Sequence, residues 1–243
     1  ADGKTDGFPL WRGIKGEDIY FLAWTTTPWT LSSNTALTVG NNIDYVLVKT
    51  FNQYTFQPIN VILAKALVGK QFSKNFALVN SIEELANYEE GAKQIPYLIL
   101  DEFKGSDLVG LHYQQLMPYA LPMENPENAF RVIPGDFVTT EDGTGIVHTA
   151  PTFGADDALV GKQAGVPGLL VPDEKGNPVP LVDLQGKFRP EMGEFAGMYV
   201  KNEYYKEDER PEKSVDVLIS IKLKEENKAF KVEKYEHSYP HCW

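Results

Sequence analysis

Residues 45–63 read YVLVKTFNQYTFQPINVIL, and the way this stretch divides decides the class of fold. Two runs, Tyr45–Phe51 and Pro58–Leu63, are dominated by Val, Ile, Tyr, Phe and Thr. Branched and aromatic side chains of that kind suit a pleated, half-buried surface, so both runs read as strands. Working outward, six further runs have the same composition and are bounded by Gly, Pro, Asn or Asp: Asp18–Ala23, Thr35–Val39, Tyr97–Phe103, Phe130–Ile133, Gly145–Thr149 and Leu169–Val171. Helical signals are fewer. Ser81 and Glu84 form a capping box that opens a helix over Ile82–Glu90, stopped by Gly91. A second helix runs from about Ala155 to Ala164 before Gly165 and Pro167, and a third lies near Val217–Asn227. Regular βαβ alternation is missing, which argues against a doubly wound sheet. The expectation is α+β, with a mainly antiparallel, barrel-like β core and peripheral helices.

The chain has 243 residues, with 23 Lys+Arg against 34 Asp+Glu and a net charge of −11. At 42% hydrophobic and 12% aromatic the composition is that of a globular protein with a sizeable core. The acidic balance argues against broad, salt-driven nucleic-acid binding, while leaving room for a local contact. The longest apolar runs are far too short to span a bilayer, and no charged-then-apolar leader opens the chain. A single cysteine, Cys242, rules out an internal disulfide and fits a reducing compartment. The charge-dense segment Asn202–Lys213 reads as a solvated boundary, and residues 52–130 carry no recognisable motif.

Several chemistries lack their signatures. There is no GxxxxGK[ST], HExxH, GxSxG or paired CxxC. Gly143-Thr144-Gly145 begins like a dinucleotide fingerprint, but His148 stands where the third glycine belongs, so it reads as a tight turn before a strand. His237, His241 and Cys242 are too few for a complete zinc site, and no metal is assigned.

Two stretches carry a signal. In WTTTPWTLSSN, Trp24–Asn34, three threonines at a strand end stopped by Pro28 present hydroxyls that both donate and accept. The plain alternative is a Thr-rich strand end closed by a turn. In GTGIVHTAPTFGADD, Gly143–Asp157, a glycine turn feeds a strand ending at His148-Thr149-Ala150-Pro151, and two aspartates then open a helix. A helix N-terminus stabilises carboxylates. Asp156 and Asp157 can therefore be simple first-turn residues, and His148 a hydrogen-bonded core histidine. A histidine joined to carboxylates by a short small-residue loop can equally line one pocket.

Together these stretches resemble the editing domain of isoleucyl-tRNA synthetases, an insertion shared with the valine and leucine enzymes. The match lies in Thr25–Leu31, Asn34 and Ala36 and in the GTGIVHTAP…DD order. Valine and leucine enzymes carry Arg where this chain has Thr27, which points to isoleucine and away from an alternative as a valine-enzyme domain clearing Thr-tRNA. The closing HSYPHCW is similar to the family's return towards its catalytic core, and the activation signatures HIGH and KMSKS are absent. The resemblance implies one editing domain over residues 1–243, with a core at about 8–201 and a charged connector and return segment at 202–243. It implies a monomer that is cytoplasmic, is not membrane-bound and works with the rest of the synthetase. Editing would need no cofactor, with ATP, magnesium and zinc belonging to the enzyme's other parts.

The resemblance also implies roles. Valine and isoleucine differ by one methylene, worth only about 1–3 kcal/mol to a pocket, a limit for which these very enzymes are the standard example. A second pocket would hydrolyse valine from the 3′ end of the isoleucine tRNA. Asp157 would hold the substrate ammonium, with Asp156 as its neighbour and helix cap. His148 would form the wall that excludes the larger side chain. Thr25, Thr26 and Thr27 would place the ester and a water, supported by Trp24, Thr30, Asn34, Thr149 and Ala150. Water attack through positioning is favoured, with His148 as general base the alternative. A recognition module without unaided turnover is the other reading.

Overall fold

The computed structural model describes residues 16–234. Ten strands follow in chain order among them: β1 (Ile19–Phe21), β2 (Ala36–Val39), β3 (Asp44–Phe51), β4 (Pro58–Ala64), β5 (Phe76–Leu78), β6 (Ile95–Lys104), β7 (Arg131–Pro134), β8 (Ile146–Thr149), β9 (Leu170–Pro172) and β10 (Pro178–Pro180). The α-helices are α1 (Val68–Gln71), α2 (Ile82–Ala86), α3 (Gly105–Leu108), α4 (Ala155–Ala164) and α5 (Val215–Glu225). The eight runs read from sequence all become strands. The two that pattern did not reveal, β5 and β10, are three residues long, and β10 is proline at both ends.

Residues 45–63 form the centre of a five-stranded sheet of order β1-β4-β3-β6-β5. β3 pairs antiparallel with β4 from Tyr45 opposite Ala64 to Phe51 opposite Pro58, and antiparallel with β6 on its other side. β1 and β5 close the edges in parallel pairings. β2 is the middle of a three-stranded sheet, parallel to β7 and antiparallel to β8. β9 and β10 form a separate antiparallel pair. The class is the expected α+β and the long ladders are antiparallel, but the strands lie in three open sheets, with no closed barrel among the described residues.

Side chains alternate across β3, and both of its faces are buried. Tyr45 and Leu47 point into a layer shared with Ile62, Phe103 and, from the smaller sheet, Leu37, Val39, Val132 and Ile146. Val46 and Val48 face the opposite way, against Val61, Leu63, Phe72, Phe76 and Tyr97. The smaller sheet therefore rides on one face of the larger one, and an aromatic layer covers the other.

The helices follow their local signals. Ser81 Oγ accepts from Glu84 N at 3.2 Å, but the Glu84 carboxylate returns to Asn80 N at 3.0 Å. α2 ends at Ala86 rather than at Glu90 because Asn87 and Tyr88 bond back to Glu84 and Leu85 in a tightened turn, and Tyr88 packs on Phe51 with ring centroids 4.4 Å apart. α4 stops as expected at Gly165, whose φ of +69° is the left-handed cap that glycine adopts freely. α5 begins at Val215, capped by Ser214 Oγ on Val217 N. Its Val215, Ile219 and Leu223 are buried in a third cluster with Leu169, Leu181, Phe188 and Phe195. Among the described residues no helix is long and apolar enough to cross a membrane. His237, His241 and Cys242 lie outside the described residues.

Candidate functional site

The two signal-bearing stretches meet. β8 places Val147 beside Trp24 in a single parallel bridge, so the threonine stretch and the GTGIVHTAP stretch form two walls of one cavity of about 520 Å³. From the first stretch it is lined by Trp24, Thr25, Thr26, Thr27 and Thr30. From the second come His148, Ala150 and Asp157. Asn34, Thr149 and Asp156 do not line it.

The threonines are not a strand end. β1 finishes at Phe21, and Thr25 Oγ1 accepts the Thr27 N–H at 3.0 Å, a local side-chain bond that replaces a sheet ladder. Pro28 then opens a 3-10 helix over Pro28–Ser33. The consequence is a row of hydroxyls on one side instead of alternation across two. Thr25 Oγ1 lies 3.4 Å from Thr27 Oγ1, which lies 3.3 Å from Thr30 Oγ1, and Thr30 Oγ1 lies 3.1 Å from His148 Nε2. Thr30 also donates to the Thr27 carbonyl at 2.8 Å. The Thr26 hydroxyl has no protein partner among the described residues.

His148 reaches this row from the end of β8. Its Nδ1 receives a bond from Asn34 Nδ2 at 2.8 Å, so both ring nitrogens are engaged. Burial pushes its pKa down from 6.5 to about 4, which makes the ring a neutral wall near neutral pH. Asn34 thus acts behind the cavity and not in it. Thr149 faces away too, its Oγ1 2.7 Å from Thr38 Oγ1 inside the smaller sheet.

The small-residue loop after β8 delivers Asp157. Gly154 is the N-cap of α4, without a side-chain cap, so the expectation that Asp156 caps the helix is corrected: Asp156 is an exposed first-turn residue. Asp157, one residue further, turns back and its Oδ2 accepts from Ala150 N at 2.8 Å. A side chain at Gly154 would crowd it, since a Cβ there would lie 3.0 Å from Asp157 Cγ. Among the described residues no Lys, Arg or His pairs with Asp157. A half-buried carboxylate in a cavity with one oxygen anchored and no protein cation is suited to a ligand ammonium.

The turn before β8 shapes the opposite rim. Gly143 and Gly145 hold φ of +71° and +74°, and a Cβ at Gly145 would come within 2.4 Å of Ala64 Cβ. Asp142 on this rim is paired with Lys70 at 2.8 Å, and that bond with the Gly143 N–H holds its carboxyl below the usual range.

Sequence reasoning missed Phe137, Thr139 and Phe153, which also line the cavity, and two supports behind it. Tyr113 donates its hydroxyl to Asn34 Oδ1 at 2.6 Å. Asp216, in the first turn of α5, accepts the Trp29 N–H at 2.7 Å and so ties the Thr30-bearing 3-10 helix to α5. Burial raises the Asp216 carboxyl to about 6. Phe153 lay inside a quoted stretch and its position was readable. The others are joined to the site only by the fold.

Known proteins sharpen this picture. The chain is 60% identical over 237 residues to an isoleucine–tRNA ligase of Cytophaga hutchinsonii, covering 93% of this chain. The chain is a homologue of one segment of the isoleucine–tRNA ligases. It is 51% identical over 240 residues to the corresponding enzyme of Bacteroides fragilis, covering 92% of this chain. It spans only about a fifth of the length of these relatives, 21% and 20%. No protein-family model matches. Among solved structures, GlLeuRS-CP1 shares the fold, with a TM-score of 0.54 at 16% identity, covering 97% of this chain and 93% of that one. This isoleucine–tRNA ligase segment thus has the architecture of a leucyl-tRNA synthetase CP1 domain.

Proposed function

We propose that this ligase segment is a proofreading domain that hydrolyses valine esterified to the 3′ end of the isoleucine tRNA. The observation that carries the reading is Asp157, a carboxylate with no cation partner among the described residues, held in the same cavity as a row of threonine hydroxyls. The carboxylate takes the ammonium of the aminoacyl group through charge-assisted bonds. The hydroxyls of Thr25, Thr26 and Thr27 place the ester and a water. The water oxygen bonds to the acyl carbon, the acyl–ribose oxygen bond breaks, and the ribose oxygen leaves with a proton.

The geometry favours positioning over base catalysis by His148. Its two ring nitrogens are occupied by Asn34 and Thr30, and burial opposes the protonated form that a general base must pass through. His148 is then the wall that admits valine and stops isoleucine. The whole ligase, the tRNA body and the amino-acid activation site supply the remaining partners, and the domain acts as a monomer without a metal or cofactor of its own.

The acidic charge of −11 favours a second reading, in which the segment recognises the aminoacyl end and depends on the rest of the ligase to deliver tRNA. Single-turnover deacylation of valyl- and isoleucyl-tRNA by the chain, beside Asp157→Ala, decides between them. Loss of valine only, abolished in the variant, supports the hydrolase. No turnover with retained binding of a valyl-adenosine analogue supports the recognition module.

A further inference from the structure

We infer that Tyr113 is a positioning residue: by fixing the amide of Asn34 it locks His148 in the tautomer protonated at Nε2 and so keeps the Thr30 proton on the Thr27 carbonyl, in the turn that carries the hydroxyl row of the cavity. The consequence for catalysis rests on the proposed hydrolase reading, whereas the lock itself is a property of the folded chain.

Tyr113 is held by both its backbone and its ring. Its backbone N–H is tied to the Phe130 carbonyl at 2.9 Å, and its ring sits edge-on between Phe21 and Phe130, with centroids 6.5 and 6.3 Å away. A ring held this way delivers its hydroxyl to one place, Asn34 Oδ1 at 2.6 Å. Burial raises the phenol well above its ordinary pKa, so it remains a donor. The oxygen of the Asn34 amide therefore faces Tyr113. Its Nδ2 faces the Ala36 carbonyl at 2.9 Å, a group that can only accept, and His148 Nδ1 at 2.8 Å. Both partners demand the same orientation of the amide, as does the Thr149 carbonyl at a longer 3.5 Å, and its two N–H groups are then used.

His148 Nδ1 is consequently a lone pair, and the single proton of the neutral ring sits on Nε2. That proton points at Thr30 Oγ1, 3.1 Å away. Thr30 spends its own proton on the Thr27 carbonyl at 2.8 Å, so its oxygen accepts from the ring and, 3.3 Å away, from the Thr27 hydroxyl. Thr27 Oγ1 is left as an acceptor towards Thr25 and the cavity, able to take a proton of a positioned water. With the ring proton on Nδ1, Nε2 would instead accept, Thr30 would turn its proton to the ring, and the bond that holds the Thr27 carbonyl would be lost. Tyr113 thus acts on the cavity through Asn34 and His148 without lining it.

Nitrogen-15 spectra of the imidazoles in the labelled chain test this, with His148 assigned by the signal lost in His148→Gln. At neutral pH the wild-type ring should show the proton wholly on Nε2. Tyr113→Phe, which keeps the ring volume, should give a mixture of the two tautomers. In that variant kcat for valyl-tRNA deacylation should fall about tenfold at unchanged KM, the loss expected for one neutral hydrogen bond. A wild-type ring protonated at Nδ1 would overturn the inference without any variant, so it stays exposed even if Tyr113→Phe fails to fold. A folded Tyr113→Phe with an unmixed Nε2–H ring would overturn it equally. The tautomer is read without substrate, so failure here and failure of the hydrolase reading are separate results.

Discussion

The five-stranded and the three-stranded sheets share one apolar layer, yet they spend their buried positions differently. In the larger sheet Tyr45, Val46, Leu47 and Val48 are at most 2% exposed and its buried positions are mainly apolar, with Thr50 and Asn60 the polar exceptions. In the smaller sheet Thr38 and Thr149 are fully buried too, and Asn34, two residues before β2, is 6% exposed. Burying a polar group costs free energy unless it is hydrogen-bonded, and each of these is bonded to a neighbour. Apolar packing tolerates many arrangements of similar volume, while a satisfied polar network tolerates few. The larger sheet is therefore where stability is concentrated, and the smaller one is where position is fixed, with His148 at the end of its β8.

Four substitutions or conditions break or sharpen that contrast. The largest effect belongs to the larger sheet. Ile62→Ala, in the layer between the sheets, should cost about 2–5 kcal/mol in urea denaturation while leaving deacylation per folded molecule unchanged.

Next comes pH, where two supports of the site oppose each other. His148 ordinarily titrates at 6.5 and is held at about 4, so the unfolded chain binds a proton that the folded chain refuses, and stability falls as pH drops through that window. The loss is at most about 3 kcal/mol. Asp216 ordinarily titrates at 3.8 and is raised to about 6, so here the folded chain binds the proton first and stability rises as pH drops. Between pH 6 and 4 the two should partly cancel in the wild type. His148→Gln should become more stable on acidification across this range and Asp216→Asn less stable, and denaturation midpoints read the sign directly.

A smaller effect concerns specificity. His148→Ala should admit isoleucine and narrow the valine-to-isoleucine ratio of kcat/KM by roughly the 1–3 kcal/mol that one methylene carries. An unchanged ratio would place the excluding wall elsewhere. The smallest effect lies at the rim. Lys70→Ala removes an exposed ion pair to Asp142 and should change stability by about 0–1 kcal/mol and the ratio not at all.

Legibility in the sequence did not follow that division. Four of the five strands of the larger sheet and all three of the smaller one are legible because β-branched and aromatic runs are local, and so is α4, whose end is written in Gly165. β5 and β10 escape because Phe-Ala-Leu and Pro-Val-Pro are not branched or aromatic runs, and each is a strand only through its partner, Ile95–Tyr97 and Leu170–Pro172. Both walls of the cavity were legible because each is one continuous stretch. What lay between the stretches was not. Tyr113 bonds to Asn34 across 79 positions and Asp216 to Trp29 across 187, and no local pattern marks either. The threonines were read as a strand end because Thr favours strands, whereas the Thr25 hydroxyl takes over a backbone N–H and bends the chain. Asp156 was read as the cap because a carboxylate at a helix start so often is one, but Gly154 starts the helix and leaves the adjacent Asp157 to bond the loop.

In the proposed function the Asp157 carboxylate holds the substrate ammonium. The most direct measurement compares deacylation of valyl-tRNA with that of its α-hydroxy analogue, in which a hydroxyl replaces the ammonium, by the wild type and by Asp157→Asn. Asparagine still accepts the Ala150 N–H, so the loop is kept while the charge is removed. With each rate divided by that ester's spontaneous hydrolysis, the wild type should prefer the ammonium-bearing ester about 10- to 100-fold, as for a charge-assisted bond, and the preference should collapse towards unity in the variant. A preference that survives intact in Asp157→Asn would contradict that role of Asp157.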